Sequence, residues 1–70
     1  METTFSIVVN GENRDAKPGA TVVDLLRELG LDSGRVAIER NREILSRQKW
    51  AETTVEPGDH YEIVQFVGGG

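Results

Sequence analysis

The stretch His60-Tyr61-Glu62-Ile63-Val64-Gln65-Phe66-Val67-Gly68-Gly69-Gly70 decides how this chain folds. Its first eight residues read as a strand, with Tyr61 and Ile63 on one side and Glu62, Val64 and Phe66 on the other. The strand runs straight into three glycines, with no polar spacer. Near the other end stands a second apolar segment, Phe5-Ser6-Ile7-Val8-Val9, in which Phe5, Ile7 and Val9 share a face. The most apolar strands belong at the buried centre of a sheet. The first and last segments are therefore expected to pair there in parallel.

Working outward from these two, Asn10-Gly11 tolerates positive φ at both residues and predicts a tight hairpin into a short polar strand, about Glu12 to Ala16. Lys17-Pro18-Gly19 stops that strand. Thr21 is placed to cap a helix, with Asp24 completing a capping box in which Glu or Gln would be the stronger partner. Val22, Leu25, Leu26 and Leu29 fall on one helical face, and Gly30 supplies the left-handed residue that ends the helix. At ~9 residues the helix needs packing to hold it. Val36 to Arg40 and Glu43 to Leu45 read as two further strands about an Asn41-Arg42 turn. Gln48 to Thr53 reads as irregular or a single helical turn, anchored by Trp50. Glu56-Pro57-Gly58-Asp59 is a turn into the last strand, His60 to Val67. Two hairpins around one helix predict an α+β fold, with the helix across one face of a mixed four- to five-stranded sheet: the β-grasp, or ubiquitin-like, arrangement. Residues 1–67 are expected to form this domain and 68–70 a flexible glycine tail.

Composition limits what such a chain does. At 70 residues it forms one domain, burying only about 60% of its unfolded surface. A deep substrate cavity would consume much of that core, which argues against a self-contained enzyme. There is no cysteine and one histidine, so neither a disulfide nor a thiolate metal site can form. Acidic residues number 12 against 8 basic, for a net charge of −4, and the arginines are scattered. A free nucleic-acid partner is not expected from that balance. The N-terminal Met1-Glu2-Thr3-Thr4 lacks the features of a signal peptide, and no apolar run approaches the ~20 residues of a membrane span. The expected compartment is a reducing cytoplasm, and the expected free state a monomer.

Five of the eight glycines (Gly11, Gly19, Gly30, Gly34, Gly58) fall at expected turns. Gly68, Gly69 and Gly70 do not. Without Cβ atoms, such a tail can thread a narrow channel and deliver its carboxylate to a partner's active site. A free α-carboxylate is ionised at neutral pH and is a poor electrophile. An ATP-using partner can convert it to an acyl-adenylate, and a sulfur donor can then displace AMP to leave a thiocarboxylate on Gly70. A carrier without cysteine needs such a group. A glycine-rich phosphate cradle requires a following helix N-terminus, and none follows. A frayed or cloning-derived end is the plainer reading of three terminal glycines taken alone, and the β-grasp pattern directly upstream weighs against it.

The residues that narrow the choice are Val9-Asn10-Gly11, Thr21 to Leu26, Val36 to Asn41, Glu43-Ile44, Arg47, Trp50, Gly58-Asp59 and Glu62 to Gly70. Through these blocks, over nearly its whole length, the chain resembles the ThiS family, the sulfur carriers of thiamin thiazole biosynthesis. Pro57 and His60 depart slightly from that pattern, away from the tail. The resemblance implies an E1-like adenylating enzyme that uses ATP and magnesium on Gly70, a cysteine desulfurase system as sulfur source and thiazole synthase as acceptor. The carrier itself is expected to bind no cofactor. The small-subunit carrier of molybdopterin synthase shares fold and tail; the block from Arg40 to Trp50 fits the thiazole carrier better.

The remaining candidates are weaker. Val64 and Phe66, on the strand face opposite Tyr61 and Ile63, are expected to form a docking patch beside the tail. Trp50 reads as a core anchor and His60 as a surface strand residue. Asp59 with His60 suggests acid–base chemistry only in outline, since no nucleophile accompanies them. Glu39 to Glu43 reads as a solvated hairpin. Besides a sulfur carrier, the pattern leaves open a protein modifier joined through Gly70 to lysines, and an interaction module with an inert tail.

Overall fold

A computed structural model describes residues 3–31 and 33–66. Its elements are β1 (Phe5–Val9), β2 (Glu12–Ala16), α1 (Val22–Leu29), a 3₁₀ turn (Ser33–Arg35), β3 (Val36–Arg40), β4 (Glu43–Leu45), a 3₁₀ helix (Arg47–Glu52) and β5 (His60–Gln65). The five strands form one sheet in the order β2-β1-β5-β3-β4. β5 lies in the middle, parallel to β1 and antiparallel to β3. The apolar character of the first and last strands had placed them there.

Local chemistry explains each element. Asn10 and Gly11 turn the first hairpin with φ of 51° and 82°. The Thr21 hydroxyl accepts from the Asp24 N–H at 3.3 Å, and the Asp24 carboxylate accepts from the Thr21 N–H at 3.0 Å, completing the capping box. That backbone hydrogen bond is the main cause holding the Asp24 carboxyl below its usual range. Gly30 closes the helix at φ 72°. In the second hairpin Asn41 and Arg42 adopt the same positive φ, 51° and 72°, so Arg42 occupies a position where glycine is normally favoured. The segment from Gln48 to Thr53, read as irregular or a single helical turn, is a 3₁₀ helix spanning Arg47–Glu52. Trp50 is its buried anchor: the indole N–H donates to the Leu45 carbonyl at 3.0 Å, and the Arg47 guanidinium lies 5.3 Å from the ring centre.

The helix covers one face of the sheet. Ile7 and Val9, Ala16, Val36 and Ile38, and Tyr61 and Ile63 point into a core closed by Val22, Leu25, Leu26, Trp50 and Val55. Each fully buried aliphatic among them contributes roughly 1.5–3 kcal/mol relative to exposure. The two sheet edges are guarded differently: β2 is polar at four of five positions, and β4 is only three residues long. β5 ends at Gln65, so the strand is shorter than expected. Val67 and the glycines Gly68, Gly69 and Gly70 lie outside the described residues.

One buried charge ties the sheet to its loops. Asp59 is only 5% exposed. Its Oδ2 accepts from Arg40 Nε at 3.0 Å, the Tyr61 hydroxyl at 2.8 Å and the Glu56 N–H at 2.9 Å, and Oδ1 accepts from Asn41 Nδ2 at 3.1 Å. Arg40 and Asn41 thus do more than decorate a solvated hairpin: both clamp β3 and its turn to the start of β5. Burial alone would raise the Asp59 carboxyl; the donors, led by the Glu56 N–H, outweigh it and hold the carboxyl below its ordinary value. Burial, reinforced by the bond to Asp59, pushes the Tyr61 hydroxyl up to about 12.

Asp59→Ala is expected to destabilise the domain by about 2–4 kcal/mol in urea unfolding, because Arg40, Asn41 and Tyr61 lose their acceptor together. The Asp59 carboxyl titrates lower when folded than unfolded, so its contribution is complete above pH ~4 and is lost as pH falls through the folded value. The stability gap between parent and variant should therefore narrow in acid; a gap independent of pH would contradict this account.

Candidate functional site

The face of the sheet not covered by α1 is built by strand parity. β1 buries Ile7 and Val9 and turns Ser6 and Val8 outward; β5 buries Tyr61 and Ile63 and turns Glu62 and Val64 outward, and Phe66, just past its end, is exposed too. This is the phase expected from the sequence. Val64 is 58% exposed and Phe66 54%. Register adds a residue that sequence reading missed: Ile44 of β4 lies opposite Glu39, which lies opposite Glu62. Ile44 is 83% exposed, and with Val64 and Phe66 it completes the exposed large apolar residues among those described. In a strand of three residues no alternation reveals which face a side chain takes, so only the pairing could place it.

The face therefore carries apolar groups around a pair of like charges. Glu39 and Glu62 are direct cross-strand neighbours, and like charges directly opposite are destabilising. Ala37, also exposed, sits opposite Val64. Phe66 follows β5, held by its N–H donating to the Arg35 carbonyl at 2.8 Å. A shallow depression lined by Glu39, Asn41, Arg42, His60 and Glu62 borders this surface. The His60 ring nitrogen Nδ1 lies 3.1 Å from the Gly58 carbonyl, and the His60 N–H donates to Asn41 Oδ1 at 2.9 Å. The Asp59 carboxylate is engaged by its four donors, which leaves the Asp59–His60 acid–base reading without support. Among the described residues no three His, Asp or Glu side chains are grouped to hold a metal ion.

A five-stranded mixed sheet with a central C-terminal strand and one helix over one face defines the β-grasp, ubiquitin-like class. Comparison narrows it further. Residues 7–70 match the model of the ThiS family, and the chain belongs to that family. It is 41% identical to the sulfur carrier protein ThiS of Bacillus subtilis, over 77% of this chain and 82% of that protein. The crystal structure of the thiamine biosynthesis protein (ThiS) from Geobacter metallireducens superposes with a TM-score of 0.79 at 35% identity, over 94% of this chain and all of that one. A thiazole synthase of Paramagnetospirillum magneticum is 50% identical over 94% of this chain, but the chain spans only 20% of that protein's length.

Exposure makes a clear distinction between the two sides of β5. Phe66→Glu should change unfolding free energy by less than about 0.5 kcal/mol, as a surface substitution does. Tyr61→Ala should cost about 3–5 kcal/mol through the cavity it leaves. Urea titrations of both variants check this; a collapse of the Phe66→Glu protein would place Phe66 in the core.

Proposed function

We propose that this chain is a sulfur carrier for thiazole formation in thiamin biosynthesis, with Gly70 as the atom-bearing end. The observation that carries this reading is the family match, which runs from residue 7 through the glycine run to residue 70. The chemistry follows from a carboxylate attached to a side-chain-free tail. A carboxylate oxygen of Gly70 attacks the α-phosphorus of ATP on an E1-like adenylating enzyme, and magnesium pyrophosphate leaves. A sulfur nucleophile from a cysteine desulfurase system then attacks the acyl carbon, and AMP departs. Where sulfur arrives as a persulfide, a thiol cleaves the remaining sulfur–sulfur bond and a thiocarboxylate is left on Gly70. Gly68 and Gly69 supply reach without steric bulk. The chain's part is to be recognised and to present its end.

Recognition falls to the uncovered face. Val64 and Phe66 adjoin the tail, and Ile44 extends the same surface. Thiazole synthase as acceptor is supported by relatives that bear that name and contain, within a longer chain, a segment resembling this one. The compartment that fits is the cytoplasm, where ATP and thiol reductants are available. No helix among the described residues is long and apolar enough to cross a membrane.

Deleting Gly69-Gly70 should abolish ATP-dependent modification while leaving the unfolding curve unchanged. Intact-mass measurement of protein from its native host should show a terminal oxygen replaced by sulfur. Ladders of conjugates would instead indicate a protein modifier. The gene should restore thiamin-independent growth to a strain lacking its thiazole carrier, given a compatible activating enzyme. Rescue of molybdenum-cofactor synthesis alone would move the assignment to the molybdopterin synthase carrier.

A further inference from the structure

The parallel pairing of β1 with β5 is short. Val8 stands beside His60 and Val9 beside Tyr61. The Val8 N–H donates to the Asp59 carbonyl and the Asn10 N–H to the Tyr61 carbonyl, both at 2.9 Å. At Asn10 the chain turns away into the hairpin, while β5 continues to Gln65. Bonded pairs alternate along an antiparallel ladder. The Asn41 N–H donates to the His60 carbonyl, and the Phe66 N–H to the Arg35 carbonyl. The even-numbered peptides of β5 therefore face β3, and those of Tyr61, Ile63 and Gln65 face the β1 side. Ile63 thus faces a strand that has already left.

The Asn10 side chain fills that place. Its Oδ1 accepts from the Ile63 N–H at 2.7 Å, and its Nδ2 donates to the Ile63 carbonyl at 3.2 Å. A primary amide offers the same donor and acceptor as a backbone peptide, so it continues the ladder by one step. The turn does not require this, because a positive φ is all that it asks of residue 10.

We propose that Asn10 is a positioning residue for the C-terminal strand: its side-chain amide replaces the missing β1 peptide and fixes the heading of β5 where the tail departs. The inference rests on the sulfur-carrier reading. A tail that must enter a partner's active site binds more weakly when its competent heading is only one of several, in proportion to the fraction competent.

Two variants of the full chain separate this role from general stability. Asn10→Gly keeps a Gly-Gly turn at positive φ and removes the amide. Asn10→Asp keeps the acceptor toward the Ile63 N–H, but when ionised sets a second oxygen against the Ile63 carbonyl; when protonated it regains the donor. The readouts are amide hydrogen exchange at Ile63 and the kinetics of ATP–pyrophosphate exchange with the E1-like enzyme of the same organism and magnesium. Asn10→Gly should speed Ile63 exchange and raise KM for the carrier roughly fivefold, as for one lost hydrogen-bonded pair, with kcat unchanged. Asn10→Asp should match Asn10→Gly at neutral pH and regain the parent's Ile63 protection below its carboxyl pKa. A comparably destabilised Leu29→Ala, on the helix, should keep the parent KM. Faster Ile63 exchange with an unchanged KM in Asn10→Gly would overturn this inference alone, as would a KM raised equally by Leu29→Ala. A parent protein that supports no exchange at all would overturn the carrier reading itself.

Discussion

Four donors on one carboxylate hold this small sheet together. The Asp59 side chain collects a backbone N–H from its own turn, a hydroxyl from β5 and two side chains from the β3 hairpin. A lone buried carboxylate would be costly, but both oxygens here accept hydrogen bonds, three on Oδ2 and one on Oδ1, and Arg40 supplies the opposite charge. The clamp sits where β5 begins, next to the Val8 N–H bond that starts the parallel pairing with β1. Central placement of β5, and hence the outward phase of Val64 and Phe66, depends on that starting point. In a strand a one-residue slip would exchange the two faces, burying Phe66 and exposing Tyr61.

Much of this was legible because it is local. The capping box at Thr21 and Asp24, the apolar stripe of Val22, Leu25, Leu26 and Leu29, and the Asn10-Gly11 turn each span a few residues, and all form as read. The centre of the sheet was legible from the apolar content of its two end segments. The rest needed contacts that a linear pattern does not carry. Asp59 read as a turn residue because its partners Arg40 and Asn41 lie 19 and 18 positions away. Asn10 read as half of a turn because Ile63 is 53 positions away. Ile44 gave no sign of its face until its register with Glu39 was known. Of the candidate site, Val64 and Phe66 were placed by alternation alone, and the glycine tail was picked out by chemistry rather than by geometry.

The uncovered face combines features that a domain selected only for stability would avoid. Glu39 and Glu62 stand side by side, and Ile44, Val64 and Phe66 face water. The opposite face shows none of these conflicts, as its residues converge on one apolar core. A sequence that satisfies local rules on one side and breaks them on the other concentrates its exceptions where partners are expected to meet it.

The two sheet margins bear on a different problem. A sheet with free edges is a template for stacking with copies of itself, and a protein exchanged between enzymes must stay dispersed between encounters. β2 sets Glu12, Asn13, Arg14 and Asp15 along one margin, and β4 offers only three residues along the other. Neither margin presents a long apolar strand on which a fibril could grow. The chain can therefore leave greasy side chains on the flat of its sheet and still resist the edge-to-edge association that leads to aggregates.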